Sequence, residues 1–149
     1  TFALLELAEK HPCTMDPAII METGGMKGRD KKPVKAEVHK QLKQALGTRS
    51  VHSEYGMTEL LSQAYSKENN IFYTPPWMKV MIRDIYDPFQ LADNGKTGVI
   101  NIIDLANRNS CAFIATQDLG RKNQDGSFEI LGRLDQSDLR GCNLLYVSS

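Results

Sequence analysis

No apolar run in this sequence approaches the roughly 20 residues that a helix needs to cross a bilayer, so no membrane span is expected. The first ten residues lack the basic stretch of a secretory signal peptide. A starting methionine is also missing and the chain opens in mid-pattern, so a fragment of a longer protein is expected. Cysteine is scarce. Cys13, Cys111 and Cys142 form no CxxC and leave one over from any pairing, which fits free thiols in a reducing cytoplasm better than a disulfide framework. An excess of one charge is absent: 18 basic residues cancel 18 acidic ones, so no nucleic-acid partner is expected. The local exception, Lys27-Gly28-Arg29-Asp30-Lys31-Lys32, reads as a solvated loop before a helix. No HExxH occurs, and His11, His39 and His52 have no metal-ligand spacing, so they read as surface or helix-face residues. Gly95-Lys96-Thr97 is not a Walker A ending, because Gln90 stands where that motif requires glycine. No Ser/His/Asp arrangement can be argued from spacing, and there are no repeats.

What is present is a chain of 149 residues, 41% hydrophobic, long enough to bury a core as one domain or two small ones. Phe2 to Lys10 carries Leu4, Leu5 and Ala8 at helical spacing and stops near Pro12. Ala18 to Met21 reads as a buried strand running into Glu22-Thr23-Gly24-Gly25, where two glycines permit close backbone approach. Pro33 suits the first turn of a helix whose face holds Val34, Val38, Leu42 and Ala45, and Gly47 ends it. With a strand at Arg49–His52 these make a βαβ unit, and both glycine turns leave the carboxyl ends of its strands, where open α/β sheets bind ligands. After Lys67-Glu68-Asn69-Asn70 and Pro75-Pro76 the texture changes to short β-rich runs: 78–85, 99–104, 110–115, 128–132 and 144–147. Turn signals at Asn94-Gly95, Asn107–Asn109 and Asp125-Gly126 separate them, the last reading as a tight hairpin. The expected fold class is α/β: a βαβ-containing part over 1–68, then a small antiparallel sheet or distorted barrel over 69–149.

Two stretches carry chemistry. His52-Ser53-Glu54-Tyr55-Gly56-Met57-Thr58-Glu59-Leu60 has the grammar of strand, turn and helix, with Leu60, Leu61 and Ala64 as the amphipathic start of that helix. Gly56 allows a sharp turn and Thr58 offers a hydroxyl to a phosphate oxygen. Glu59 would repel a phosphate unless a hard cation such as Mg²⁺ lay between them. The residues alone fit an ordinary capped turn equally well. Asp118, behind three apolar residues and Thr116 at a strand end, can accept hydrogen bonds from both ribose hydroxyls, or simply form a turn.

Tyr55-Gly56-Met57-Thr58-Glu59 resembles the signature of the adenylate-forming superfamily of acyl-CoA synthetases, luciferases and peptide-synthetase adenylation domains. Thr116-Gln117-Asp118-Leu119-Gly120-Arg121 and Gly132-Arg133-Leu134-Asp135 match further motifs in the same order. Arg140-Gly141-Cys142-Asn143-Leu144 resembles the ending of LuxE-type acyl-protein synthetases. The resemblance implies that Gly24 and Gly25 line an adenine pocket, Tyr55 stacks on the base, Gly56 shapes the motif turn, Thr58 holds the α-phosphate and Glu59 the Mg²⁺. Asp118 would bind the ribose, Arg133 would reach the ribose or phosphate, and Asp135 matches a hinge of larger relatives. Gln117 departs from the glycine usual between Thr and Asp. The implied cofactors are ATP and Mg²⁺, the substrate a fatty acid, and the partner a fatty acyl reductase. Cys142 would accept the acyl group as a thioester, Arg140 lowering its thiol pKa; the local sequence by itself favours a small apolar filler of a terminal strand. The phosphate loop expected upstream of Tyr55 is missing, so the chain reads as a carboxy-terminal part, inactive alone. Two rivals remain: an acyl- or aryl-CoA ligase resembling phenylacetate–CoA ligase, and a non-catalytic nucleotide-binding or scaffolding module.

Overall fold

Leu4, Leu5 and Ala8 recur on one face of Phe2–Lys10, and this segment is helix α1 in the computed structural model, which describes residues 2–15, 18–23 and 35–134. Strand β1 is Ile20–Thr23, helix α2 Lys35–Leu46 and strand β2 Val51–Tyr55. β1 and β2 pair in parallel, from Ile20 opposite Val51 to Thr23 opposite Glu54, with α2 as the crossover. Val38, Leu42 and Leu46 lie four residues apart along α2, and all are buried against Leu5, Ala8, Ile20 and Val51. Gly47 adopts φ +57°, the left-handed end that stops a helix and that a side chain would resist. The expected βαβ unit is therefore present, with both strands displaced toward the carboxyl side: β1 reaches Thr23 and β2 reaches Tyr55.

The helix expected after Gly56 does not form. Residues 56–63 loop back, and Ala64–Ser66 is strand β3, antiparallel to β2 with Tyr55 opposite Ala64. Leu60 and Ala64 are buried, as a helix would also require, but Leu61 is 67% exposed. A spacing of four fits both a helix face and a loop that returns an apolar residue to the same core. β3 leads through Asn69 and Asn70, at φ 60° and 58°, to β4, Ile71–Phe72. Two consecutive positive φ values are what a tight hairpin turn needs, and Asn tolerates them. Reciprocal backbone hydrogen bonds between Tyr65 and Tyr73, 3.0 and 2.9 Å, close this hairpin.

The chain divides into two compact units, Thr1–Pro75 and Pro76–Ser149. In the second, β5 (Met78–Arg83), β6 (Thr97–Asp104), β7 (Phe113–Lys122) and β8 (Phe128–Arg133) run antiparallel in the order β8-β7-β6-β5. Met78, Val80 and Ile82 alternate inward on β5, and Ile100, Ile102 and Phe128 are fully buried. Gly98 stands opposite Gly120 where the strands press together: a Cβ on Gly98 would lie 2.2 Å from the Arg83 carbonyl oxygen. Asp125-Gly126 makes the β7–β8 hairpin as expected, Gly126 at φ +88° and Asp125 Oδ1 accepting from the Ser127 amide (3.0 Å) and hydroxyl (2.6 Å). Those bonds hold the Asp125 carboxyl below its ordinary pKa. β7 begins three residues after the expected Ser110 and runs on through Asp118 to Lys122, because the hairpin keeps it paired with β8 along that length. The fold is mixed α/β with a curled antiparallel sheet, the class expected. Pro33, Val34, the basic run 27–32 and the expected strand 144–147 lie outside the described residues. No helix among the described residues is long and apolar enough to cross a membrane.

Candidate functional site

Tyr55 is the last residue of β2, on the buried face that also holds Val51 and Ser53. Its ring, 8% exposed, meets the Phe72 ring edge-on at 6.2 Å between centroids. Gly56 follows without positive φ, so conformational freedom is not what requires glycine there. Space is tight rather than closed: a Cβ would lie 3.0 Å from Cγ of the flexible Gln63 side chain, where the loop returns to β3. Leu60 N–H donates to the Met57 carbonyl at 3.1 Å and closes a turn whose central residues are Thr58 and Glu59. Both are exposed, while Leu60, 4% exposed, anchors the turn from below. The hydroxyl and the carboxylate therefore stand side by side on a turn at the carboxyl edge of a parallel strand pair. Among the described residues no group of three His, Cys, Asp or Glu side chains could hold a metal ion. An exposed carboxylate next to a hydroxyl is a donor set that Mg²⁺ can use when it brings its own phosphate and water ligands, since that ion commonly takes only one or two carboxylates.

Asp118 and Arg133 belong to the second unit, where they pair across β7 and β8. Asp118 is not at a strand end, contrary to expectation; it lies within β7 at an interruption. Val99 pairs with Leu119 and Asn101 with Ala115, so Thr116, Gln117 and Asp118 all face Ile100 alone. The buried Thr116 hydroxyl fastens this bulge, donating to the Ile100 carbonyl at 2.8 Å and accepting from the Asp118 amide at 3.0 Å. Leu134 N–H donates to the Gln117 carbonyl at 2.7 Å. Bulges of this kind re-aim side chains beside functional sites. Sequence reasoning gave Thr116 no role of its own; its placement after an apolar run and before the polar pair Gln117-Asp118 was the available signal.

Gly24, Gly25, Asp135, Arg140 and Cys142 lie outside the described residues. Cys13 and Cys111 are exposed free thiols. Two grooves open in the first unit. One, about 920 Å³, is lined by residues including Ser50, His52, Tyr65, Lys67 and Tyr73. The other, about 690 Å³, lies along α2 by His39, Lys40, Lys43 and Glu68. Lys43 bonds Glu68 at 2.8 Å and holds that carboxyl below its ordinary pKa. Neither groove is lined by Tyr55, Thr58 or Glu59. Sequence reasoning also missed a polar cluster beneath the motif: Glu22, His39 and Ser53, brought together from β1, α2 and β2.

No protein-family model matches the sequence, and no curated protein is similar to it in sequence. Solved structures do share its fold. The chain is similar to ATP-bound MatB from Rhodopseudomonas palustris, with TM-score 0.59, 16% identity, and coverage of 89% of this chain and 33% of that one. It is also similar to the O-succinylbenzoate coenzyme A synthetase MenE from Bacillus subtilis in complex with ATP and magnesium ion, with TM-score 0.63, 18% identity, and coverage of 89% and 30%. A luciferase-like enzyme from the mealworm Zophobas morio matches over 78% of this chain and 31% of its own, with TM-score 0.55 and 18% identity. The chain thus spans about a third of the length of the structures it matches, and the fold is one found in adenylate-forming enzymes.

Proposed function

We propose, from this shared fold, that the chain is part of an ATP-dependent, AMP-forming ligase of the acyl-protein synthetase type, with residues 1–68 and 69–149 as parts of one adenylating domain. The observation that carries the reading is the coincidence of fold and motif: MatB and MenE were solved with ATP, the latter with magnesium, and here Thr58 and Glu59 stand on an exposed turn at a carboxyl strand edge. Thr58 is assigned to the α-phosphate, Tyr55 and Gly56 with Gly24 and Gly25 to the adenine side, and Asp118 and Arg133 to the ribose. Glu59 would hold Mg²⁺, which masks the charge of departing pyrophosphate. A fatty-acid carboxylate oxygen attacks the α-phosphorus, the α–β phosphoanhydride bond breaks, and pyrophosphate leaves with the electron pair. The Cys142 thiolate then attacks the acyl carbonyl carbon, AMP leaves, and a thioester remains, from which a fatty acyl reductase would take the acyl group. This last assignment rests on the sequence resemblance around Arg140 and Cys142.

A second reading is favoured by MenE's being a coenzyme A synthetase: the activated acid passes to CoA instead of Cys142. Incubation of the full-length protein with ATP, Mg²⁺ and a panel of fatty acids, followed by intact mass, separates the two. A gain of one acyl group, released by neutral hydroxylamine and absent in Cys142→Ser, supports the protein ligase. Pyrophosphate release without mass gain, converted to acyl-CoA when CoA is added, supports the second reading. Neither signal across the panel leaves a non-catalytic nucleotide-binding module.

A further inference from the structure

Glu22 and Ser53 are register partners on the adjacent parallel strands β1 and β2, and both side chains lie on the face covered by α2. Each is buried, at 8% and 1% exposure, and a carboxylate so placed is costly unless polar groups surround it. His39 supplies one. It follows the fully buried Val38 on α2, and its side chain is 15% exposed. Its Nε2 lies 3.4 Å from Ser53 Oγ and 4.0 Å from Glu22 Oε2. The same ring nitrogen faces both groups, so this is not a Ser–His–carboxylate relay, in which the hydroxyl and the carboxylate sit on opposite ring nitrogens. It is a tie between two strands, made from the helix above them.

The position of the tie gives it a consequence. Glu22 is one residue from the end of β1, and Ser53 is two residues before Tyr55, where β2 ends and the Thr58–Glu59 turn begins. We propose that His39 is a positioning residue: through Glu22 and Ser53 it fixes the carboxyl ends of β1 and β2 against each other and so sets where Tyr55 and the following turn stand. The effect on nucleotide binding rests on the reading of the preceding subsection; the effect on the strand ends does not.

The experiment uses the full-length protein and three variants. His39→Leu removes the polar tie while filling the space. His39→Gln keeps an amide near the Nε2 position, able to donate to Glu22 and accept from Ser53. Val38→Ala loosens the same helix turn without touching the tie. Amide hydrogen exchange is read at Thr23 and Tyr55, together with the Kd for ATP in the presence of Mg²⁺. His39→Leu is expected to speed exchange at both amides and weaken ATP by about fivefold, the factor that one neutral hydrogen bond such as that to Ser53 is worth. His39→Gln is expected to restore both, and Val38→Ala to lower Tm while leaving the Kd within about twofold of wild type. Unchanged exchange at both amides in His39→Leu, or no recovery in His39→Gln, overturns the tie. Faster exchange with recovery in His39→Gln, in a protein whose wild type binds no ATP, upholds the tie and removes the nucleotide reading instead. Faster exchange with an unaltered Kd limits the tie to the strands and overturns its role in the site.

Discussion

In the first unit the motif residues stand beyond the end of a strand; in the second they stand inside one. Thr58 and Glu59 occupy a turn that β2 releases after Tyr55, anchored by the buried Leu60. Asp118 remains within β7, lifted from the ladder by a bulge that the Thr116 hydroxyl fastens. A turn at a strand end has slack, because the loop back to β3 can give. A bulge between two paired neighbours has little, because the ladders on both sides fix it. The first unit should therefore absorb small changes near its motif that the second cannot.

Gly98→Ala tests the tight side most severely. Its methyl would meet the Arg83 carbonyl at 2.2 Å, backbone against backbone, with no side chain able to turn away. A loss of about 3 kcal/mol in denaturant unfolding is expected, the upper part of the usual overpacking range. An unchanged midpoint would show that β5 and β6 separate easily and would dissolve the contrast.

Thr116→Val comes next. It deprives the Ile100 carbonyl and the Asp118 amide of their shared partner at nearly constant volume, at a cost of about 1–3 kcal/mol. Thr116→Ser should recover most of that. Chemical shifts of the Asp118 amide would report whether the bulge moves, and a Val variant with neither stability loss nor shift change would mean that the hydroxyl does not fasten it.

Gly56→Ala is the matching change on the slack side. The nearest neighbour of the new methyl is Gln63 Cγ at 3.0 Å, part of a side chain that can rotate, and the backbone is not in the left-handed region. A cost of below about 1 kcal/mol is expected by the same unfolding measurement. A loss as large as that of Gly98→Ala would show the two units to be equally rigid around their motifs.

The smallest effect concerns acid. Asp125 is held below its ordinary pKa by Ser127, so its contribution is present above the ordinary aspartate value and is lost as pH falls through the lower folded value. Asp125→Asn keeps an oxygen for the Ser127 amide but cannot titrate. It should flatten the fall in Tm of the second unit below about pH 4 and leave neutral pH nearly unchanged. Parallel Tm–pH curves for variant and wild type would remove the hairpin from the acid response.

Much of this was legible in the chain because it depends on neighbours in sequence. The α2 face recurs every four residues, Gly47 ends the helix, and Asp125-Gly126 turns the hairpin, each for reasons held within a few residues. The motif order pointed to the fold that solved structures share. What the chain alone could not reveal depends on pairing. Leu60 and Ala64 carry a helical spacing, yet Ala64 lies opposite Tyr55 in a strand, because pairing with β2 satisfies its backbone and buries it together. The Thr116–Asp118 bulge exists only because β6 supplies one residue where β7 supplies three. Glu22, His39 and Ser53 are far apart in sequence and meet only when the parallel strands align beneath α2. Sequence fixes what a residue can do locally; which groups share a few ångströms is decided by strand register and helix placement, and those are properties of the folded chain alone.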